Sequence, residues 1–543
     1  MRISLFIALL FLSKFCFSQD EKDSSFKSHI QDFEKFIKKV EENFVDDIEV
    51  ERLILSAKKQ TIQSLDPYSK YYTKEESQER NKTWKGISYA GIGATLIQTN
   101  KGVMIYSIKK GYGAEKKRLQ PGDIIYKIHD SICLNLKLNN VIKLLKGPPN
   151  TEVEITVKRD KLYKFEKIVR QNIISPSISF SDTIGNNIGL IKIDQFLRGS
   201  GQLFREKLEV LISKGATKIV LDLRGNRGGL VNETVKALSA VLKKGTIIYE
   251  LKSNDLKSNY IDSTNLEPIS TTIPMVLLVD NKTISSGEIF SGALQDLDRA
   301  VLIGQTTFGK GLVQRTYDLK YGSKLKVTIS KYYTPSGRCV QRLEYYDRNL
   351  NDAPSEISDS LIQSYKTANG REVIDGRGIV PDTGFQTKIY SELTTLLIME
   401  DIIFNYVNAY VENRDSIDSP ENYELTTDEY DAFVLYVGAQ SDFEYMTILE
   451  KKFSEIKEIL KSEDSFDEIS NEFSAMEKKI KGNLNRDLIR YKDEILPIIE
   501  NEIVARFYFQ KGKAIHSFSF DPSIQQALQI LKDSGSYNQI LNK

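Results

Sequence analysis

Apolar residues fall into four successive patterns along the chain. In the first, Phe33, Phe36, Ile37 and Val40 recur at helical spacing and Leu53, Ile54 and Ala57 begin a second stripe, which predicts helix across residues 24–65. Pro67, inside "LDPYSKYYT", breaks that pattern. Residues 86–159 then show short β-type runs, "GVMIYSI" and "TEVEITVKR", separated by Gly and Pro signals. From about 160 to 390 the text alternates. "NIGLIKI", "KIVLDLRG", "PMVLLVD" and "AVLIG" are apolar and β-rich, with helical patterns between them at 203–213, 231–243 and 287–297. Such alternation predicts an α/β core around a largely parallel sheet. Beyond 390, "YSELTTLLIMEDIIFNYVNAYV" and "FEYMTILEKKFSEIKEIL" are amphipathic, with few Gly or Pro, and predict an all-helical extension. The expected divisions are 19–80, 81–160, 161–390 and 391–543.

The length of 543 residues agrees with several cores, at about 150 residues per domain. Hydrophobic residues at 40% and charged residues at 27% are ordinary for a soluble globular protein. A formal net charge of +1 gives no support to nucleic-acid binding or to a strongly charged substrate. The start, "MRISLFIALLFLSKFCFSQD", changes the picture more. Arg2, an apolar run from Ile3 to Leu12 and the small Ser18 have the shape of a secretory signal over residues 1–18. The run is too short to span a bilayer, and Ser13-Lys14-Phe15 is a poor context for a lipid on Cys16. The mature chain is therefore expected to be exported, periplasmic or secreted. It would keep Cys133 and Cys339, whose positions suggest two isolated small hydrophobes rather than a disulfide.

Two stretches carry chemistry. The first is "YAGIGATL" (Tyr89–Leu96). In Gly91-Ile92-Gly93-Ala94, closely spaced glycines let successive backbone N–H groups turn toward one anion. A tight turn explains a lone G-x-G as well. Here "LQPGDIIYKI" and "GPPNTEVEITVKR" follow, and the set resembles a PDZ domain, which binds a peptide's C-terminal carboxylate and adds the peptide to a sheet edge. Taken alone, this module describes an adaptor.

The second is "PMVLLVDNKTISSGEIF", which reads as buried strand, sharp turn and helix. Ser285 or Ser286 on such a turn could be a nucleophile near free N–H groups at the helix start, or only a helix cap. A nucleophile needs a base. His29, His129 and His516 lie outside the α/β segment, and no metal-binding motif is present. Lysine is left, and Lys310 sits between two glycines in "TTFGKGLVQ"; a dehydrated lysine can serve as a base, although a surface-loop lysine is the plainer reading.

Together these segments resemble the C-terminal processing (tail-specific) serine peptidases, which have a crotonase-like α/β core and an inserted PDZ domain. "LDPYSKYYT", "LDLRGNRGGLVNETV", "KYYTPSGRCVQ" and "GRGIVPD" carry the resemblance over about residues 30–385. In that family the lysine follows the nucleophile by 25 residues, the separation of Ser285 from Lys310. The resemblance therefore implies Ser285 as nucleophile, Lys310 as general base and Gln314 as the residue that orients it. Family members more often read Ser-Ala-Ser-Glu where this chain has Ser-Ser-Gly-Glu, so Ser286 stays a competitor. The "RGNRGG" loop suggests oxyanion donors at Gly228 or Gly229 together with the N–H of Ser286, while Arg224 and Arg227 look structural.

The fold expected is thus α/β, a crotonase-like core with a mostly β PDZ insertion at 81–160, an N-terminal helical segment and a helical C-terminal extension. The function implied is an exported serine endopeptidase, without cofactor or metal, acting on protein substrates with apolar C-termini bound at Gly91, Ile92, Gly93 and Ala94. Peripheral membrane association and a homo-oligomer stay open. The alternatives are a catalytically silent PDZ adaptor on the same fold and, more remotely, an acyl-CoA-handling crotonase-type enzyme.

Overall fold

The computed structural model describes residues 25–84, 87–185, 187–345, 353–385, 389–412, 414–463 and 465–542. The expected signal at 1–18, with Cys16, lies outside them. The chain forms two compact units. One contains the described residues up to Ser77 together with Val313–Ile329 and Glu344–Ser355. Its helices cover 25–43 and Val50–Gln63. The "LDPYS" break is a turn built by Asp66, whose Oδ1 accepts the N–H groups of Tyr68 and Ser69, both at 2.7 Å. The strand Lys70–Tyr72 that follows pairs antiparallel with Lys324–Lys326.

The second unit holds three layers of organisation. Residues 87–174 make a β-rich module. Its antiparallel sheet runs in the order Ala94–Thr99, Gly102–Ile108, Ile124–Ile128, Glu152–Arg159, Leu162–Val169, with Ser131–Ile132 against the third strand. Alternation in "EVEITVKR" sends Val153, Ile155 and Val157 inward, where they meet Val103, Ile105, Ile125 and Val141. Ala94–Thr99 is an edge strand, and helix Leu138–Leu145 lies against it. The module does not stop at 160 as expected. Its last strand reaches Val169, and Ile87–Gly91 pairs with Gln171–Ile174 beyond that.

The α/β core is a six-stranded sheet in the order Ile178–Ile184, Ile188–Ile193, Lys218–Asp222, Met275–Val279, Val301–Gly304, Thr383–Gly384. The first pair is antiparallel and the rest are parallel. Helices Ser200–Ser213, Val231–Leu238 and Ser286–Asp296 occupy the connections. Every residue of "MVLLV" is buried, as a strand covered on both faces requires. One cover is the C-terminal region. Ile524, Ala527, Ile530, Leu531, Tyr537 and Leu541 pack with Val276, Leu278, Val301 and Ile303. Part of the expected helical extension is therefore a layer of the core.

The rest of that region is a separate helical cluster, built by Glu392–Met399, Ile402–Glu412, Thr427–Gly438, Leu484–Arg490 and the first half of Lys492–Ser517. Phe509, at φ 57° and ψ −157°, breaks this last helix, so that its first half serves the cluster and Ala514 and Ile515 reach the sheet. The cluster also meets the β module, where Tyr106 stacks on Phe404 with ring centroids 5.4 Å apart. Cys133 and Cys339 form no disulfide.

Candidate active site

The site forms where the central parallel strand ends. After Val279, Asp280 turns the chain by accepting the N–H of Lys282 at 3.1 Å, and Thr283 donates its hydroxyl to Leu223 O at 2.8 Å. Ser285 follows at φ 60° and ψ −115°, a conformation that costs a non-glycine residue of order 1–3 kcal/mol. Two bonds hold it there: Ile284 N–H donates to Asn226 O at 3.0 Å, and Ser285 N–H donates to Glu288 Oε2 at 2.8 Å. The neighbouring serines differ sharply. Ser286 is fully buried and its hydroxyl donates to Gly229 O at 2.8 Å, whereas Ser285 is partly exposed.

The glycine-rich loop lies directly against this turn. Gly228 has φ 72°, and a Cβ there would fall 2.7 Å from Ile284 O and 3.0 Å from Ser285 Cβ, so only glycine fits. Its own N–H donates to Asn226 Oδ1 at 2.8 Å, and Asn226 is anchored through Nδ2 on Ile193 O at 2.7 Å. The amides of Gly229 and Ser286 make no hydrogen bond among the described residues. Of the three expected oxyanion donors, Gly228 is thus engaged internally, whereas the amides of the other two have no hydrogen-bond partner among the described residues. Arg227 has an exposed side chain, and Arg224 pairs with Asp222 and Asp521.

Lys310 arrives from the next strand over and is 9% exposed. Its flanking glycines are set by close approach of residues 339–342. A Cβ at Gly309 would lie 2.5 Å from Arg342 Cβ, and one at Gly311 would lie 2.8 Å from Gln341 N. Gly309 O accepts Arg342 N–H at 3.0 Å, and Gln341 Oε1 accepts Gly311 N–H at 2.8 Å.

Glu288 joins the two segments. It is fully buried, and its carboxylate accepts four bonds: Ser285 N–H at 2.8 Å, Lys310 N–H at 2.9 Å, Gly309 N–H at 2.6 Å and the Thr307 hydroxyl at 2.6 Å. Ser285 and Lys310 donate to the same oxygen, so their amides are no farther apart than those two bonds laid end to end. Burial pushes this carboxyl above its ordinary range, and the four donors oppose that push. Burial likewise carries the phenol of Tyr332, whose hydroxyl is 3.4 Å from Ser285 O, well above the usual tyrosine value. From sequence, Glu288 reads as the partner in a helix-capping box, which hides its second role. Exchanging it for glutamine replaces one of the two acceptor oxygens with a donor, set against two of the four donors. Glu288→Gln should therefore cost about 2–4 kcal/mol of stability, by the usual penalty for unsatisfied buried groups, and it should depress any activity of the site. A melting temperature equal to the wild type's would contradict the bridging role.

The remaining expected site residues are set in their own surroundings. Gln314 is in the first unit, where its Nε2 donates to Thr328 Oγ1 at 3.2 Å. Gly91 ends a module strand, and Gly93 has φ 83° and packs on Tyr112. The carbonyls of Ile92 and Gly93 accept Ala114 and Lys109 N–H groups, both at 2.8 Å, while their own amides bond no described residue. His516 is buried in the helical region with Nε2 3.6 Å from Glu500, and His129 lies on a module hairpin. Among the described residues no three His, Cys, Asp or Glu side chains gather as a metal site would need.

A serine on a strained strand-to-helix turn, beside a glycine-rich loop and a buried lysine, is the arrangement of a serine hydrolase. Residues 187–345 match Peptidase family S41, and residues 393–531 match the C-terminal helical domain of a probable PDZ-protease. Over residues 187–345 the chain is thus similar to Peptidase family S41, in line with its motifs, and it is similar to CtpA-like serine proteases. A probable CtpA-like serine protease of Staphylococcus aureus (strain N315) is 34% identical over 303 residues, which is 56% of this chain and 60% of that protein. The chain therefore spans 60% of the length of the curated relatives it matches. Among solved structures, the photosystem II D1 C-terminal processing protease aligns at 20% identity over 65% of this chain and 92% of that one, with a TM-score of 0.37. The PDZ domain of a carboxy-terminal protease from Vibrio cholerae, in complex with peptide, aligns at 30% identity over 16% and 96%, with a TM-score of 0.15.

Proposed function

We propose that the protein is an exported serine endopeptidase that engages the C-terminus of protein substrates through a PDZ module and cleaves upstream with a Ser285–Lys310 dyad. The observation that carries this reading is the Glu288 carboxylate, which draws the backbones of Ser285 and Lys310 onto a single oxygen. In the reaction, neutral Lys310 takes the Ser285 hydroxyl proton as Oγ attacks the scissile carbonyl. The oxyanion forms toward the amides of Gly229 and Ser286. The lysine ammonium then gives its proton to the leaving amine. Water, deprotonated in turn by Lys310, releases the acyl group from Ser285. The resemblance assigns Gln314 the task of orienting the lysine and gives the core a crotonase-like form. Export rests on the signal-like segment 1–18.

Recognition is assigned to the module at 87–174. The amides of Ile92 and Gly93 would take the substrate's terminal carboxylate, and the chain behind it would extend the edge strand Ala94–Thr99. The test is cleavage of a loosely folded protein with an apolar C-terminus, free or amidated. Amidation removes the charge those amides would hold, and a charge-assisted bond of about 1.5–3 kcal/mol makes the expected loss on the order of ten- to a hundredfold in kcat/KM. Equal cleavage of both forms would contradict recognition of the terminus.

A further inference from the structure

The C-terminal region contributes a carboxylate to the edge of the proposed site. Arg224 opens the "RGNRGG" loop, and its guanidinium is shared between two aspartates. Nε and Nη2 donate to Asp222 at 3.0 and 2.8 Å, and Nη1 donates to both oxygens of Asp521 at 3.1 and 2.8 Å. Asp222 ends a core strand and is fully occupied without Asp521: it also accepts the Lys192 ammonium at 3.1 Å and the Arg224 N–H at 2.9 Å. Asp521 comes from the far end of the chain. It caps helix Pro522–Lys532, accepting the N–H groups of Ser523 at 2.9 Å and Ile524 at 3.3 Å. The Arg224–Asp521 pair is half-buried, with each side chain 20% exposed.

What the pair holds is the loop. Gly225, the next residue, donates its N–H to Asp280 Oδ1 at 2.9 Å, on the strand end that leads to Ser285. Three residues later, Gly228 touches Ser285. The loop is therefore pinned at one end by the C-terminal region and at the other by the segment that carries the serine. We propose that Asp521 is a positioning residue for the reaction: acting through Arg224, it fixes where the Gly229 amide points, and so makes the C-terminal region a working part of the peptidase site. This rests on the function proposed above.

Asp521 has two roles that a single substitution separates. Asparagine caps a helix as well as aspartate does, but it cannot hold a guanidinium with two anionic oxygens. In the full-length protein, Asp521→Asn should leave the melting temperature and KM near wild type and lower kcat by about tenfold, the scale expected when a reacting group is misplaced by a fraction of an ångström. Reaction of Ser285 with a fluorophosphonate, whose phosphoryl oxygen gains negative charge among the same amides as the serine attacks and fluoride leaves, should slow by the same factor. A kcat and a fluorophosphonate rate both within twofold of wild type would overturn the proposal, and so would a fall in melting temperature that accounts for the whole loss. Hydrogen exchange over residues 223–230 decides the matter independently of cleavage. It should quicken in Asp521→Asn. Unchanged exchange overturns the positioning role, whereas a wild-type protein that cleaves nothing while exchange still responds overturns only the peptidase reading.

Discussion

Ser285→Ala should abolish cleavage, and Ser286→Ala should keep most of it. Loss of a serine nucleophile costs on the order of ten-thousandfold or more in kcat, leaving only what binding and oxyanion contacts supply. Ser285 is the partly exposed member of the pair and is held at a strained φ of 60°. Ser286 is fully buried, with its hydroxyl spent on Gly229 O. Its removal orphans one carbonyl, at a cost of about 1–2 kcal/mol in stability, and leaves in place the backbone amide that the proposed reaction uses. Both variants would be purified full length and assayed on one loosely folded substrate, with melting temperatures recorded beside the rates. Cleavage retained in Ser285→Ala and lost in Ser286→Ala would move the nucleophile by one residue.

Lys310→Arg should be inactive although it keeps the positive charge. Arginine stays protonated at any working pH and cannot take the serine proton. It is also the larger group, and the site around it is narrow: Gly309 and Gly311 are fixed against Arg342 and Gln341 by contacts no bulkier backbone would permit. The wild-type rate should climb with pH, because only the neutral amine accepts a proton. A plateau would mark full deprotonation. A flat profile from mildly acidic to mildly basic pH would contradict a lysine base, and so would an active Lys310→Arg.

Much of the α/β core could be read from sequence because parallel strands covered on both faces become continuous apolar runs, and "PMVLLVD" and "AVLIG" are such runs. What covers them could not be read. Ile524, Ala527 and Leu531 declare a buried helix face, but periodicity says only that a face is buried and not what it is buried against. The module boundary failed for a related reason. "LYKFEKIV" alternates in burial, but its inward positions are Lys164, Glu166 and Ile168 while Tyr163 and Phe165 face outward, each 56% exposed, so its apolar residues do not mark the buried face. At the candidate site, glycines and serines stand out singly. Glu288 and Asn226 do not, because their partners come from three separate segments that only the fold assembles. Asp521 was the least visible of all, 297 positions from the arginine it holds.

The four bonds on Glu288 also bear on how such a protein survives its own synthesis. A newly made chain contains Ser285 and Lys310 but no arrangement between them. The backbone of Ser285 and the loop that carries Lys310 meet on the buried carboxylate in the folded chain. On the proposed mechanism an unfolded copy therefore has no assembled dyad, and completion of the fold is the arming step.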